Sequence, residues 1–190
     1  MKIGIVGESP NDTKGLEALL KKGHEDQVFK SVFGNRKQHH KAHKKLNTLL
    51  KIELKSGNYD AIVVSTDLDD HPSQTEKIRA QKDWFNKVKK DLDVRFFLLL
   101  HIYEIEALIL SDIKSVLTNY GGKCSFSGNP MMQKDPKEFL EKKWSGTKFK
   151  YKENKCPEIL AKLDYAIVKY NCAYFKAFDK ALTEFIIENS

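Results

Sequence analysis

Acidic residues recur at three places where a short apolar run ends. Gly7-Glu8-Ser9-Pro10-Asn11-Asp12 follows the run 2–6, Thr66-Asp67-Leu68-Asp69-Asp70 follows 61–64, and His101-Ile102-Tyr103-Glu104-Ile105-Glu106 closes the run that begins at Val94. If these runs are strands of one open parallel sheet, their carboxyl ends lie side by side and the acids converge on one edge. Crowded carboxylates repel one another, and a hard divalent cation with oxygen ligands relieves that repulsion. Mg²⁺ or Mn²⁺ is the cofactor such a donor set implies. Asp67 and Asp69 are two apart, so an extended backbone turns both to one side and Leu68 into the protein, a spacing suited to a shared metal ion. A DxD alone is a weak signal, because acids often occupy turns after strands and Asp70-His71-Pro72-Ser73 has the composition of a turn and helix start. Its place after Val-Val-Ser-Thr, combined with Glu8 after the first run, favours the metal reading. Glu8 and Asp12 have a structural alternative as caps of the helix that follows. Glu104 and Glu106 lie about 200° apart on a helix, so both face one metal only if the helix begins between them. Glu106 is the favoured ligand, with Glu104 the alternative at the helix N-terminus, and Asp112 has a plain reading as an exposed helix acid.

Two stretches are basic. Arg36, Lys37, Lys41, Lys44 and Lys45 surround His39, His40 and His43, and the cations there oppose metal binding by the histidines. That stretch reads as a solvated face or as a phosphate-binding one, since lysines on a nucleic acid backbone gain affinity through counterion release. Lys148, Lys150 and Lys152 alternate with Phe149 and Tyr151, downstream of Trp144. The lysines suit nucleic acid, and the aromatics suit docking a C-terminal segment on the sheet. His71 and His101 flank the acidic edge, with a turn or core role as the default for each. There is no P-loop, GxGxxG or Ser/His/Asp arrangement.

Positioning the acids requires alternating strands and helices. Apolar spacing predicts strands at 2–6, 27–33, 59–65 and 94–102 and helices at 13–22, 42–54, from Ser73 through Val88, and 104–119. Ser73 with Glu76 has capping-box spacing, and Gly121-Gly122 offers a left-handed stop. The uninterrupted Ala61-Ile62-Val63-Val64 has the character of a strand buried on both faces, which belongs to a parallel sheet. Beyond residue 122 the chain changes to a loop and then helices opened by Asp135-Pro136 and Pro157, with a last one carrying Phe175, Phe178, Leu182, Phe185 and Ile186.

IGIVGESPND followed by AIVVSTDLDD resembles the Toprim domain of type II topoisomerases, bacterial primases and OLD-family nucleases, with a Glu after strand one and DxD after strand three. EIEALILSD, DPKEFLEK, KYKENKCPEILAKLD and the Phe-rich tail extend the likeness over nearly the whole chain, to a prokaryotic Toprim-like family often met near restriction and phage-defence genes. The resemblance implies that Glu8 is a general acid or base, that Asp67 and Asp69 hold Mg²⁺, and that Asp12 stands where a second acid occurs. Ser9 replaces a common Gly and Asp12 a common Glu; the former restricts how closely a phosphate can approach the backbone.

The 190 residues, 41% hydrophobic and 31% charged, suffice for a folded core, and a formal charge of +7 favours a polyanionic partner. Cys124, Cys156 and Cys172 lack the pairing of a disulfide framework or zinc knuckle. No apolar stretch reaches the roughly 18 residues of a membrane span, and Glu8 and Asp12 interrupt the first run too soon for a signal peptide, so a cytoplasmic location is expected. The expectation is an α/β fold, a mainly parallel four-stranded sheet with helices on both faces plus a C-terminal helical extension. Residues 1–122 form the Toprim-like domain, and 123–190 pack on the same core. The expected function is Mg²⁺-dependent nuclease or related phosphoryl-transfer chemistry on DNA or RNA, in phage defence, with a defence-operon protein as a further partner and no membrane. The alternatives are a non-catalytic Toprim scaffold that binds nucleic acid or a partner subunit, and a DxD phosphatase or glycosyltransferase, which leaves Glu8 and the basic surface unexplained.

Overall fold

The computed structural model describes residues 1–34, 46–71, 73–90, 92, 94–121, 126–144 and 148–190, with nothing described of the side chains of 46 and 47. Arg36, Lys37, Lys41, Lys44, Lys45 and the neighbouring histidines therefore lie outside the described residues. Four strands, β1 (Lys2–Val6), β2 (Val28–Ser31), β3 (Ala61–Asp67) and β4 (Arg95–His101), form one parallel sheet in the order β2-β1-β3-β4. The first helices are α1 (Pro10–Gly23), α2 (Leu46–Gly57) and α3 (Thr75–Lys90). The connections explain the layering. A right-handed crossover from β1 outward to β2 places α1 on one face, while the two that run the opposite way, β2 to β3 and β3 to β4, place α2 and α3 on the other. Accordingly Leu50, Phe85 and Val88 pack with Val6, Ile62, Val64 and Phe96 on one side, and Leu16, Leu19 and Leu20 pack with Ile3, Ile5, Ala61 and Val63 on the other.

One helix cannot cover the α1 face of four strands. The rest of the chain does so with α4 (Ala107–Ser111), α5 (Ile113–Tyr120), α6 (Pro136–Trp144), α7 (Cys156–Leu160), α8 (Tyr165–Asn171) and α9 (Ala173–Glu188). Phe97 and Leu99 of β4 share a buried cluster with Leu140, Trp144, Ile159, Leu160, Phe175, Phe178 and Leu182, so the C-terminal helices and the sheet have a common core. The seat of α7 on α1 is close: a Cβ on Gly15 would lie 2.5 Å from Leu160 Cδ1 and 3.3 Å from Pro157 Cα. Among the described residues no helix is long and apolar enough to cross a membrane.

Several local expectations need correction. The helix expected at 104–119 starts only at Ala107 and breaks at Asp112, whose backbone (φ −135°, ψ 48°) leaves the helical region. Asp112 Oδ1 accepts from the Ser115 N–H at 3.4 Å and Oδ2 from the Asp164 N–H at 2.7 Å, so this buried acid caps α5 and ties it to the α7–α8 turn. It is not an exposed helix acid. Asp164 similarly interrupts the helix opened by Pro157, accepting the N–H groups of Ala166 and Ile167 at 2.8 and 3.1 Å to start α8. The Ser73–Glu76 box does not cap α3, which begins at Thr75, because the Ser73 hydroxyl pairs with His71 Nδ1 at 2.8 Å. A box forms instead at α1, where the Asp12 carboxylate accepts the Ser9 N–H at 2.9 Å and the Ser9 hydroxyl accepts the Asp12 N–H at 3.3 Å, with Pro10 in the first turn.

Candidate active site

The strand order reverses between β1 and β3: from β1 the chain moves outward to β2, and β3 returns to the other side of β1. In an open α/β sheet the crevice beyond the carboxyl ends at such a switch point is where ligands bind. Glu8 leaves β1 there and Asp67 ends β3 there. Glu8 Oε1 accepts the Asp67 N–H at 3.2 Å and the Thr66 hydroxyl at 3.3 Å, which fixes the half-buried Glu8 across the end of the neighbouring strand. Gln81 of α3 donates in turn to Thr66 Oγ1 at 2.9 Å.

Asp67 is flanked by acids. Burial pushes its carboxyl well above the usual range, and Glu8, Asp12, Glu106 and Asp69 each add to the rise. Asp12, the first-turn acid of α1, is raised to about 6 by burial, with the Ser9 hydrogen bonds opposing and Glu8 adding. Glu106 immediately precedes α4, is only 4% exposed, and is raised to about 7 by burial, against the hydrogen bond from Tyr151. Glu8, Asp12 and Glu106, from the ends of β1 and β4 and the first turn of α1, thus act electrostatically on Asp67 at the end of β3.

Asp69 and Glu104 sit to one side of it. Asp69 adopts φ +54°, so the backbone is not extended through the DxD and its two carboxylates do not follow the simple alternation expected. Leu68 does turn inward, at 8% exposure. Asp69, Asp70, His71, Tyr103, Glu104, Lys134 and Asp135 line a cleft of about 360 Å³. Glu104 Oε2 accepts the Lys137 N–H at 3.1 Å, and its Oε1 lies 3.7 Å from the Lys137 ammonium, so Glu104 anchors the start of α6. Because the helix begins after both glutamates, Glu106 alone stands at the α4 start, where Glu104 and Asp12 raise its proton affinity and it raises that of Asp67.

His101 does not join the acids chemically. His101, opposite Asp67 in the ladder, is wholly buried, pairs through Nε2 with Ser65 Oγ at 3.0 Å, and is held down to about 4 by burial despite the pull of Glu8. It is a neutral core histidine. Asp70 is engaged by Lys77, whose hydrogen bond holds its carboxyl below the usual range.

Three participants are not marked as site residues by their spacing in the sequence. Tyr151 donates its hydroxyl to Glu106 Oε1 at 2.7 Å, Cys156 packs its buried thiol beside that hydroxyl, and the charges of Glu104 and then Glu106 act on the Lys137 ammonium. All lie more than 30 residues beyond the acids they meet, inside the DPKEFLEK and KYKENKCPEILAKLD stretches, to which the resemblance assigns no site role. Lys148, Lys150 and Lys152 are exposed while Phe149 is half-buried and Tyr151 buried. Trp144 meets Phe149 edge-on at 5.3 Å and stacks with Tyr151 at 6.3 Å, so the aromatics dock the extension.

The donor set is the oxygen-only one that Mg²⁺ and Mn²⁺ prefer, and its mutual repulsion suits a cation. In the side-chain positions observed, no three His, Cys, Asp or Glu residues among those described come close enough to hold a metal ion between them. Comparison of the chain with family models, curated proteins and solved structures returns no match. Fold and site together define a doubly wound, all-parallel α/β protein with an acid-lined crevice at its switch point.

Proposed function

We propose that this protein is a Mg²⁺- or Mn²⁺-dependent nuclease, or a related phosphoryl-transfer enzyme acting on nucleic acid, built on a Toprim-like domain as its sequence motifs suggest. The observation that carries the reading is the charge of Glu8, Asp12 and Glu106 acting together on the buried Asp67 at the switch point, each raising its proton affinity. Asp67 and Glu106 would hold the cation, with Asp69 reaching in from the adjoining cleft. When bound, the cation supplies charge stabilisation for a phosphoryl oxygen and its leaving group. Glu8 would manage the proton; its Oε1 is steadied by the Asp67 N–H and the Thr66 hydroxyl. Asp12 sits beside it as a second acid. Lys150 and Lys152, exposed cations suited to a phosphate backbone, flank Tyr151, whose hydroxyl bonds to Glu106.

The experiment is cleavage of plasmid, single-stranded DNA and RNA by the purified protein in Mg²⁺, in Mn²⁺ and in EDTA. Metal-dependent cleavage of any of the three supports the reading. Salt-sensitive binding without cleavage of any would replace it with a scaffold that binds nucleic acid in a phage-defence assembly. Hydrolysis of small phosphate esters with no nucleic acid binding would point to a phosphatase.

A further inference from the structure

Among the described residues β4 pairs with β3 on one side and with no strand on the other. Successive residues of an extended strand turn their backbone groups to opposite sides. The His101 carbonyl accepts the Leu68 N–H at 2.8 Å, so His101, Leu99 and Phe97 face β3, and the N–H and C=O groups of Phe96, Leu98 and Leu100 face outward. Among the described residues nothing bonds to those outward groups. A long apolar edge is ordinarily blunted by proline, a bulge or several charges. Arg-Phe-Phe-Leu-Leu-Leu-His has no proline, keeps an unbroken register with β3, and carries its one cation, Arg95, at the first position. The edge lies along a groove of about 580 Å³, walled by Ile78 and Lys82 of α3 on one side and by Tyr174, Ala177 and Ala181 of α9 on the other. Phe96 and Leu100 in its floor are 3% and 6% exposed, whereas Tyr174 on the rim is 41% exposed. Lys82 and Arg95 are exposed, and the groove lining contains no acid. Asp83, next to Lys82 in the chain, pairs instead with Arg79 at 3.8 Å.

We propose that the open edge of β4 is a docking site for an extended segment of a partner protein, apolar with acidic residues interspersed, which joins the sheet as an added strand. Backbone bonds to Phe96, Leu98 and Leu100 hold the segment, and side chains on alternate positions meet the α9 and α3 walls. The apolar ones cover Leu98 and Ala177, and the acids meet Lys82 and Arg95. Charge selects this occupant. A second copy of the chain would bring a second set of the same cations to the groove, and two edges that both lie between helices are kept apart by the rims of α3 and α9. A nucleic acid strand would satisfy Lys82 and Arg95 but leave the apolar floor without a matching surface. The inference is independent of the metal-dependent reading above.

The test begins with selection from a phage-displayed library of random peptides on the immobilised full chain, which should enrich peptides that interleave apolar residues with Asp or Glu. A synthetic copy of an enriched peptide is then titrated by fluorescence anisotropy. Ala177→Trp and Ala181→Trp fill the groove from exposed positions, and each should weaken binding about tenfold or more with the melting temperature kept. Lys82→Gln with Arg95→Gln should weaken it roughly three- to tenfold. In hydrogen exchange followed by NMR, the N–H groups of Phe96, Leu98 and Leu100 should gain protection when the peptide binds. A selection that enriches no peptide, or peptides that bind both Trp variants as they bind the parent, overturns the proposal. So does a free protein that sediments as a dimer with those three amides already protected, which would give the edge to a second copy, and so does protection of them by single-stranded DNA in place of any peptide.

Discussion

Asp179→Asn should cost about 2 kcal/mol of folding stability near neutral pH, and that cost should vanish in acid. Asp179 lies on α9 with its side chain 1% exposed and gathers partners from two other helices. His24, at the C-terminal end of α1, pairs with Oδ1 at 2.9 Å; the Tyr165 hydroxyl of α8 donates to the same oxygen; and the Lys169 ammonium of α8 is 2.5 Å from Oδ2. Burial alone would push this carboxyl up, but the bonds from His24, Lys169 and Tyr165 override it and hold it down at about 2, against 3.8 ordinarily. That fall corresponds to roughly 2.5 kcal/mol at about 1.36 kcal/mol per pKa unit. Lys169 is 43% exposed, so water screens its share and about 2 kcal/mol remains. In a domain of this size that is a drop in melting temperature of roughly 4 to 8 °C. The carboxyl is depressed in the fold, so its contribution is complete above about pH 4 and is lost as the pH falls towards 2. Urea unfolding followed by circular dichroism at pH 6, 5, 4 and 3 gives the comparison: the gap between parent and variant should be constant from pH 6 to 5 and shrink by pH 3. A gap that widens on acidification, or none at pH 6, refutes the view that this charge clamp holds α8 and α9 to α1.

Three other substitutions probe the packing, the basic surface and the acids. Gly15→Leu should destabilise the protein by about 1 to 3 kcal/mol, read as a lower melting temperature, because the new side chain meets Leu160 and Pro157 where α7 sits on α1. Replacing Lys148, Lys150 and Lys152 together with Gln should weaken nucleic acid binding and flatten its salt dependence, by roughly 0.7 to 0.9 in logarithmic slope for each phosphate that a lysine no longer neutralises; titrations at several salt concentrations measure both. Glu8→Gln should slow cleavage roughly 10² to 10⁴-fold and Asp67→Asn should abolish the metal-dependent cleavage, with both variants still folded and still binding nucleic acid, as cleavage, binding and melting assays will show.

The sheet is legible because fully buried parallel strands are uninterrupted apolar runs, and Ala61-Ile62-Val63-Val64 is one. The acids after β1, β3 and β4 are legible for the same reason: once the strands are located, whatever follows them lies at one edge. The features that are not legible depend on tertiary partners. Asp112 and Asp164 occupy positions that the helical spacing of their neighbours passes over, and new helices start at them because they accept backbone N–H groups in the fold. Asp69 has the spacing of half an extended DxD, but the turn after β3 puts it at a positive φ. Tyr151 belongs to the docking aromatic cluster that its neighbours suggest, yet nothing in the spacing of Lys150-Tyr151-Lys152 indicates that its hydroxyl reaches Glu106.

The central claim is that the acids at the switch point form a divalent metal centre, and crystals grown with Mn²⁺ test it most directly through anomalous diffraction at the manganese edge. The account predicts a peak beside Asp67, with oxygens of Asp67 and of Glu8 or Glu106 at about 2.0 to 2.2 Å, the range for a small hard cation. A fully occupied Mn²⁺ elsewhere on the protein, with the Glu8, Asp67 and Glu106 carboxylates left without one, would contradict it.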